Sequence, residues 1–157
     1  MRQNLKKTLV ICGVLLAIAL AVGVFFWRRD SAAGGTGIVL DANQAQWDSP
    51  YTVPAGEDGI RIPGYGTIYF PAGQRQVQLT LYNPEENDCY FAFSLYLEGE
   101  EIYASDYVEP GNAIENLELT RALTAGEYTL YINIQTYDPE TESQKNGASV
   151  QAELIVV

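Results

Sequence analysis

Apolar and polar side chains alternate with a period of two along most of the second half of the chain. In residues 76–82, Val77, Leu79 and Leu81 alternate with Gln78 and Thr80, the pattern of a strand with one buried face. In residues 89–98, Cys89, Phe91, Phe93, Leu95 and Leu97 share one parity while Tyr90, Ala92, Ser94, Tyr96 and Glu98 share the other. This is the longest clean alternation and predicts the central strand. Shorter extended pieces are expected at 102–104 and 114–119. From residue 128, Tyr128, Leu130, Ile132 and Ile134 oppose Thr129, Tyr131, Asn133, Gln135 and Tyr137, and Val150, Ala152, Leu154 and Val156 give the inward face of a last strand. Upstream, residues 38–73 are punctuated by Ser49-Pro50, Asp58-Gly59, Pro63-Gly64 and Pro71-Ala72-Gly73, leaving short extended pieces at 59–62 and 67–70. About seven or eight short strands with turn signals at intervals of about 8 to 12 residues, and no helical period after Arg29, predict an immunoglobulin-like antiparallel β-sandwich. The run Leu123-Thr124-Ala125-Gly126-Glu127-Tyr128 adds the local pattern of a tyrosine corner.

A different pattern occupies the N-terminal part. Twenty residues without a charge begin at Thr8 and end at Trp27, long enough to cross a hydrocarbon core of about 30 Å as a helix. Arg2, Lys6 and Lys7 precede the run and Arg28 and Arg29 follow it. The expected layout is a cytoplasmic segment 1–7, a single transmembrane helix 8–27, a flexible linker 28–37 and an extracytoplasmic sandwich 38–157. Arg28 and Arg29 stand between the run and the small-residue site Ser31-Ala32-Ala33, so the helix is read as an uncleaved signal anchor in the cell membrane.

Charge divides the same way. Residues 1–29 carry five basic residues and no acid, whereas residues 30–157 carry four basic and twenty acidic residues, a net −16. Such a domain repels phosphate backbones, and nucleic acid is not expected as a partner. Cys12 falls in the apolar run and Cys89 in the domain, so no disulfide within the domain is expected, a usage that fits a Gram-positive cell surface. The chain has no His, and Cys89 on the inward parity reads as a small core residue. No enzymatic activity, cofactor or metal is expected. The carboxylates of Glu85, Glu86 and Asp88, and of Asp138, Glu140 and Glu142, match no metal-loop spacing and read as solvated loops. Lys145 is the one lysine after residue 29, and its loop position argues against an internal lysine cross-link.

The candidate binding residues are aromatic. Tyr82, Tyr90, Tyr96, Tyr131 and Tyr137 take the outward parity of three strands, with Asn133 and Gln135 among them. If those strands are neighbours, their outer face is a tyrosine and amide platform suited to protein recognition at the cell envelope, with loops 83–88 and 138–148 as further contacts. Cell-wall glycan stacking on the same tyrosines is an alternative, and strand addition by an edge strand or by residues 149–157 in a surface assembly is another. Trp47 reads as a core plug. The oligomeric state is left open.

Several segments in order carry a resemblance: IPGYG at 62–66, YNPEENDCYFAFSLYLEGEEIY at 82–103, EPGNAI at 109–114, LTAGEY at 123–128, QTY at 135–137 and NGA at 146–148. Together they resemble a group of small membrane-anchored β-sandwich proteins of gut Firmicutes. The resemblance implies a bacterial envelope protein and transfers no activity or site residues. In physical terms, NPEEN, PGN and NGA are turn chemistry.

Overall fold

Eight strands form: β1 (Ala45–Gln46), β2 (Ile68–Phe70), β3 (Gln76–Tyr82), β4 (Tyr90–Leu97), β5 (Glu100–Val108), β6 (Asn112–Glu118), β7 (Gly126–Tyr137) and β8 (Ala148–Val156); β3, β4, β7 and β8 are the alternating segments. The structure is a computed structural model describing residues 37–50, 52–55 and 59–157. The expected membrane helix 8–27, the segment before it and the linker as far as residue 36 lie outside the described residues. Among the described residues all regular structure is β, and Ile38–Val157 is one unit.

The strands make two sheets, a three-stranded sheet in the order β1-β6-β3 and a five-stranded sheet in the order β2-β8-β7-β4-β5. All pairings are antiparallel except β2 with β8. One core contains inward residues of both sheets: Val77, Leu81, Ile114 and Leu117 from the smaller sheet, and Phe91, Phe93, Leu95, Leu97, Leu130, Ile132, Ile134 and Leu154 from the larger. Each such fully buried aliphatic or aromatic side chain contributes about 1.5–3 kcal/mol relative to exposure. Cys89 is buried among them with a free thiol.

The middle of the larger sheet is β7, not β4 as the alternation suggested, because β8 and β2 extend the sheet beyond it. The last strand is consequently internal. Leu154 to Val156 pair with β2 on one side while all nine residues pair with β7 on the other. Over Leu154 to Val156 both edges of the expected strand-addition segment are already occupied. Strand β5 is longer than the expected 102–104. Its alternation is broken because Ile102 and Tyr103 are both buried, and register shifts interrupt its pairing with β4. At one shift the Ser105 hydroxyl accepts the Phe93 N–H at 2.9 Å, standing in for a ladder carbonyl. The β4–β5 connection is the two-residue turn Glu98-Gly99, both at positive φ (52° and 85°), as a tight hairpin with right-handed strand twist requires.

Residues 39–47 tie the two sheets together. Leu40 bridges Tyr107 in parallel, with Asp41 N–H donating to Tyr107 O and Tyr107 N–H to Val39 O. The chain then turns, and β1 pairs with β6 of the other sheet. Asp41 holds the turn: its carboxylate accepts the Asn43 N–H at 2.8 Å and the Asp106 N–H at 3.1 Å. The tyrosine corner is present, with Tyr128 OH donating to Thr124 O at 2.9 Å. A side chain at Gly126 would meet that ring at 3.3 Å, so glycine lets the ring fold back.

The NPEEN turn does more than turn. Asn83, 1% exposed, donates from Nδ2 to Cys89 O at 2.8 Å and to Val108 O at 3.0 Å. Its Oδ1 accepts from Asn87 Nδ2 at 2.8 Å. Asn87 also accepts the Arg61 N–H at 2.7 Å and donates to Arg61 O at 3.0 Å. Two amides thereby join three loops in a site closed to water. Asn83→Ala strands the carbonyls of Cys89 and Val108, and is expected to lower unfolding free energy by about 2–4 kcal/mol in urea denaturation. Asn116→Ala, on an exposed position of β6, should cost under about 0.5 kcal/mol.

Candidate functional site

The outer face of the five-stranded sheet is set by the β4–β7 register. Tyr90 lies opposite Tyr137, Ala92 opposite Gln135, Ser94 opposite Asn133 and Tyr96 opposite Tyr131. Each of these pairs alternates with a buried one, so the outward positions form four cross-strand rows. On the flanks, β5 adds Tyr107 beside Ala92, Ala104 beside Ser94 and Glu101 beside Tyr96. Strand β8 adds Ser149 beside Asn133, Gln151 beside Tyr131 and Glu153 beside Thr129.

Six of the seven residues singled out in the sequence therefore share one face: Tyr90, Tyr96, Tyr131, Asn133, Gln135 and Tyr137. Tyr82 does not. It has the outward parity of its strand, but β3 belongs to the other sheet, and Tyr82 is 8% exposed in a small cluster with Val53 and Ala113. Trp47 packs on it at 4.6 Å between ring centroids. The plug expected at Trp47 is thus a plug of this satellite cluster, outside the main core. Tyr82 and Trp47 also border a groove of about 630 Å³ with Pro54, Tyr65 and Leu79.

The face has two unlike ends. At the end near the β7–β8 loop, Tyr107 and Tyr137 meet edge to face at 4.8 Å, and Tyr137 OH donates to Gln135 Oε1 at 2.9 Å. Tyr107, missed in the sequence because β5 reads there as irregular, belongs to this group, and burial raises its phenol pKa above the ordinary value. In the middle, Ser149 OH donates to Asn133 Oδ1 at 2.7 Å. At the far end, Tyr96 OH donates to the Glu101 carboxylate at 2.7 Å, which raises the Tyr96 phenol pKa. Beside it Tyr131 is 42% exposed.

Loops 83–88 and 138–147 lie together beyond the Tyr90–Tyr137 row, where Lys145 interacts with Asp138, Asp88 and Cys89. Lys145 Nζ is 3.2 Å from Asp138 Oδ2. Asp138 Oδ1 accepts the N–H groups of Glu140 and Thr141 at 3.0 and 2.9 Å. These bonds, the one from Thr141 first, hold the Asp138 carboxyl at about 2, while the Asp138 carboxylate raises Lys145. The pair is therefore ionised, the opposite of the neutral amine and protonated acid that a cross-link requires. Cys89 has its thiol pKa raised, first by burial and then by Asp88, so the nucleophilic thiolate is disfavoured. Gly147 packs against Ile134 so closely that a side chain there would lie 2.7 Å from its carbonyl oxygen.

No family model matches this chain, and neither does any curated protein.

The depressed carboxyl gives a pH dependence with a definite sign. The Asp138 contribution to loop order is complete above the ordinary 3.8 and is lost as pH falls towards about 2. An NMR titration should place the Asp138 carboxyl midpoint near the lower value, and Lys145→Met should move it upward.

Proposed function

We propose that the chain is a membrane-anchored, extracytoplasmic binding module of a bacterial envelope, and that it engages a partner protein through the outer face of its five-stranded sheet. The observation that carries the reading is the row pattern: four cross-strand rows, each with two or three aromatic, hydroxyl or amide positions. Tyrosine offers broad contact area for two side-chain torsions, and the interleaved amides and hydroxyls supply adaptable hydrogen bonds. The face is built on central strands, so its side chains are held by a rigid ladder.

An immunoglobulin-like class for the domain is part of the same proposal. Three features support it: the β2-β8-β7-β4-β5 order opposite a β6-β3 pair, the parallel β2–β8 pairing, and the tyrosine corner at the start of β7. The uncharged run 8–27, flanked by basic residues, supports the anchor, and the segments resembling envelope proteins of gut Firmicutes support the location.

The test is capture of envelope proteins by the full chain and by a Tyr90→Ala, Tyr96→Ala, Tyr131→Ala variant. These side chains point outward, so the triple change should cost about 1–3 kcal/mol of stability and leave the fold intact by circular dichroism. Binding of a protein retained by the parent should fall at least about tenfold. Undiminished capture by the folded variant would remove this face from the function.

A further inference from the structure

We infer that the partner segment received by this face is cationic, presenting Lys or Arg side chains to Tyr96 and Tyr131 at an end of the face that carries Glu101, Glu127 and Glu153. The inference rests on the protein-binding reading above and adds the chemistry of the partner.

Its first support is that the domain has no uncommitted cation. Four basic residues follow residue 37, and each is in an ion pair: Arg61 with Glu86 at 3.7 Å, Arg75 with Glu118 at 3.2 Å, Arg121 with Glu100 at 2.9 Å and Lys145 with Asp138 at 3.2 Å. None of the four lies in the eight strand positions that make the β4–β7 outer rows. An acidic protein or an anionic glycan is therefore repelled by the net −16 charge of residues 30–157, whereas a basic segment is attracted by it.

The second support is the layout at the Tyr96–Tyr131 end. Register places Glu101, Tyr96, Tyr131 and Gln151 side by side on four successive strands, with Glu153 one outward position along β8 from Gln151. At about 4.8 Å between strands, β5 and β8 lie about 14 Å apart with the two rings between them; the Glu101 carboxylate accepts from Tyr96 OH at 2.7 Å, and that of Glu153 accepts from Thr67 Oγ1 at 2.9 Å on the β2 side. An ammonium or guanidinium group over the electron-rich face of a tyrosine is attracted by the ring, and here the Glu101 carboxylate is fixed beside the pair by the Tyr96 hydroxyl. Tyr131 is the accessible ring: its hydroxyl has no hydrogen-bond partner and its ring no aromatic contact among the described residues. Glu127, opposite Ile155 and next outward from Thr129, adds a third carboxylate on the same side.

The probe is octa-arginine titrated into the full chain by calorimetry, with octa-glutamate and chitotetraose as comparison ligands. Two charge-matched variants separate a site from diffuse attraction: Glu101→Gln with Glu153→Gln on the face, and Glu140→Gln with Glu142→Gln in the β7–β8 loop. The expected result is binding of octa-arginine alone, weakened about fivefold to tenfold by the face variant and by Tyr131→Leu, and less than about twofold by the loop variant. Raising salt from about 50 mM to about 0.5 M should weaken it further. Equal weakening by both charge variants would overturn the inference, because it would mean unlocalised charge attraction. If the face variant keeps full affinity for an envelope protein that the triple tyrosine variant loses, the cationic partner falls and the protein-binding face stands. If chitotetraose binds in a Tyr131-dependent way and octa-arginine does not, both fall together.

Discussion

The unbroken register between β4 and β7 is the constraint on which both the stability and the candidate site depend. Eight consecutive residues of β4 pair one to one with β7, with no bulge. Because side chains alternate, this one ladder builds two surfaces at once. Phe93 with Ile134, Leu95 with Ile132 and Leu97 with Leu130 face the core, while Tyr90 with Tyr137, Ser94 with Asn133 and Tyr96 with Tyr131 face outward. A slip by one residue would turn the aliphatic rows to water and bury the amides, losing several kcal/mol for each misplaced row. The core therefore enforces the arrangement of the outer face, and the tyrosine rows need no contact of their own to stay in place.

A domain of this size without a disulfide needs other ties between its layers. Two are visible. Residues 39–47 run from the edge of β5 to the edge of β6, and Asp41 fixes the crossing by accepting backbone N–H groups from both Asn43 and Asp106. At the loop end, Asn83 and Asn87 satisfy carbonyls of Cys89, Val108 and Arg61 from a buried position. A buried amide with every polar atom matched is tolerated and directional, which pins loops that apolar packing alone would leave free to slide.

What the sequence made legible follows from what periodicity encodes. Parity identified strands β3, β4, β7 and β8 and the inward residues of each, because both the core and the alternation are direct consequences of a pleated backbone. Parity says which side of a strand a residue takes but not which sheet the strand joins, so Tyr82 was grouped with tyrosines that lie on the other layer. Strand β5 was under-read because its bulge puts Ile102 and Tyr103 inward in succession. Tyr107 was missed for the same reason. Asn83 and Asn87 carried a signal, an Asn at each end of a proline-containing turn, but turn preference and a buried amide clamp call for the same residue, and only burial separates them.

The two ends of the tyrosine face differ in how much freedom is left to lose. Around Tyr137 the rings and amides are already engaged with one another, through the Tyr107 contact and the Gln135 hydrogen bond. A ligand arriving there would have to replace bonds already made. At the other end Tyr96 is oriented by Glu101 but keeps its ring at the surface, and Tyr131 stands beside it with its hydroxyl unengaged. One ring held in place and one open position next to it is the combination that favours binding, since little side-chain entropy is lost while an unmet hydrogen-bonding group is gained. For the proposed recognition the Tyr96–Tyr131 end, near the β4–β5 hairpin, is therefore better suited than the loops 83–88 and 138–147, where Asn83, Asn87, Asp138 and Lys145 are spent in holding the loops themselves.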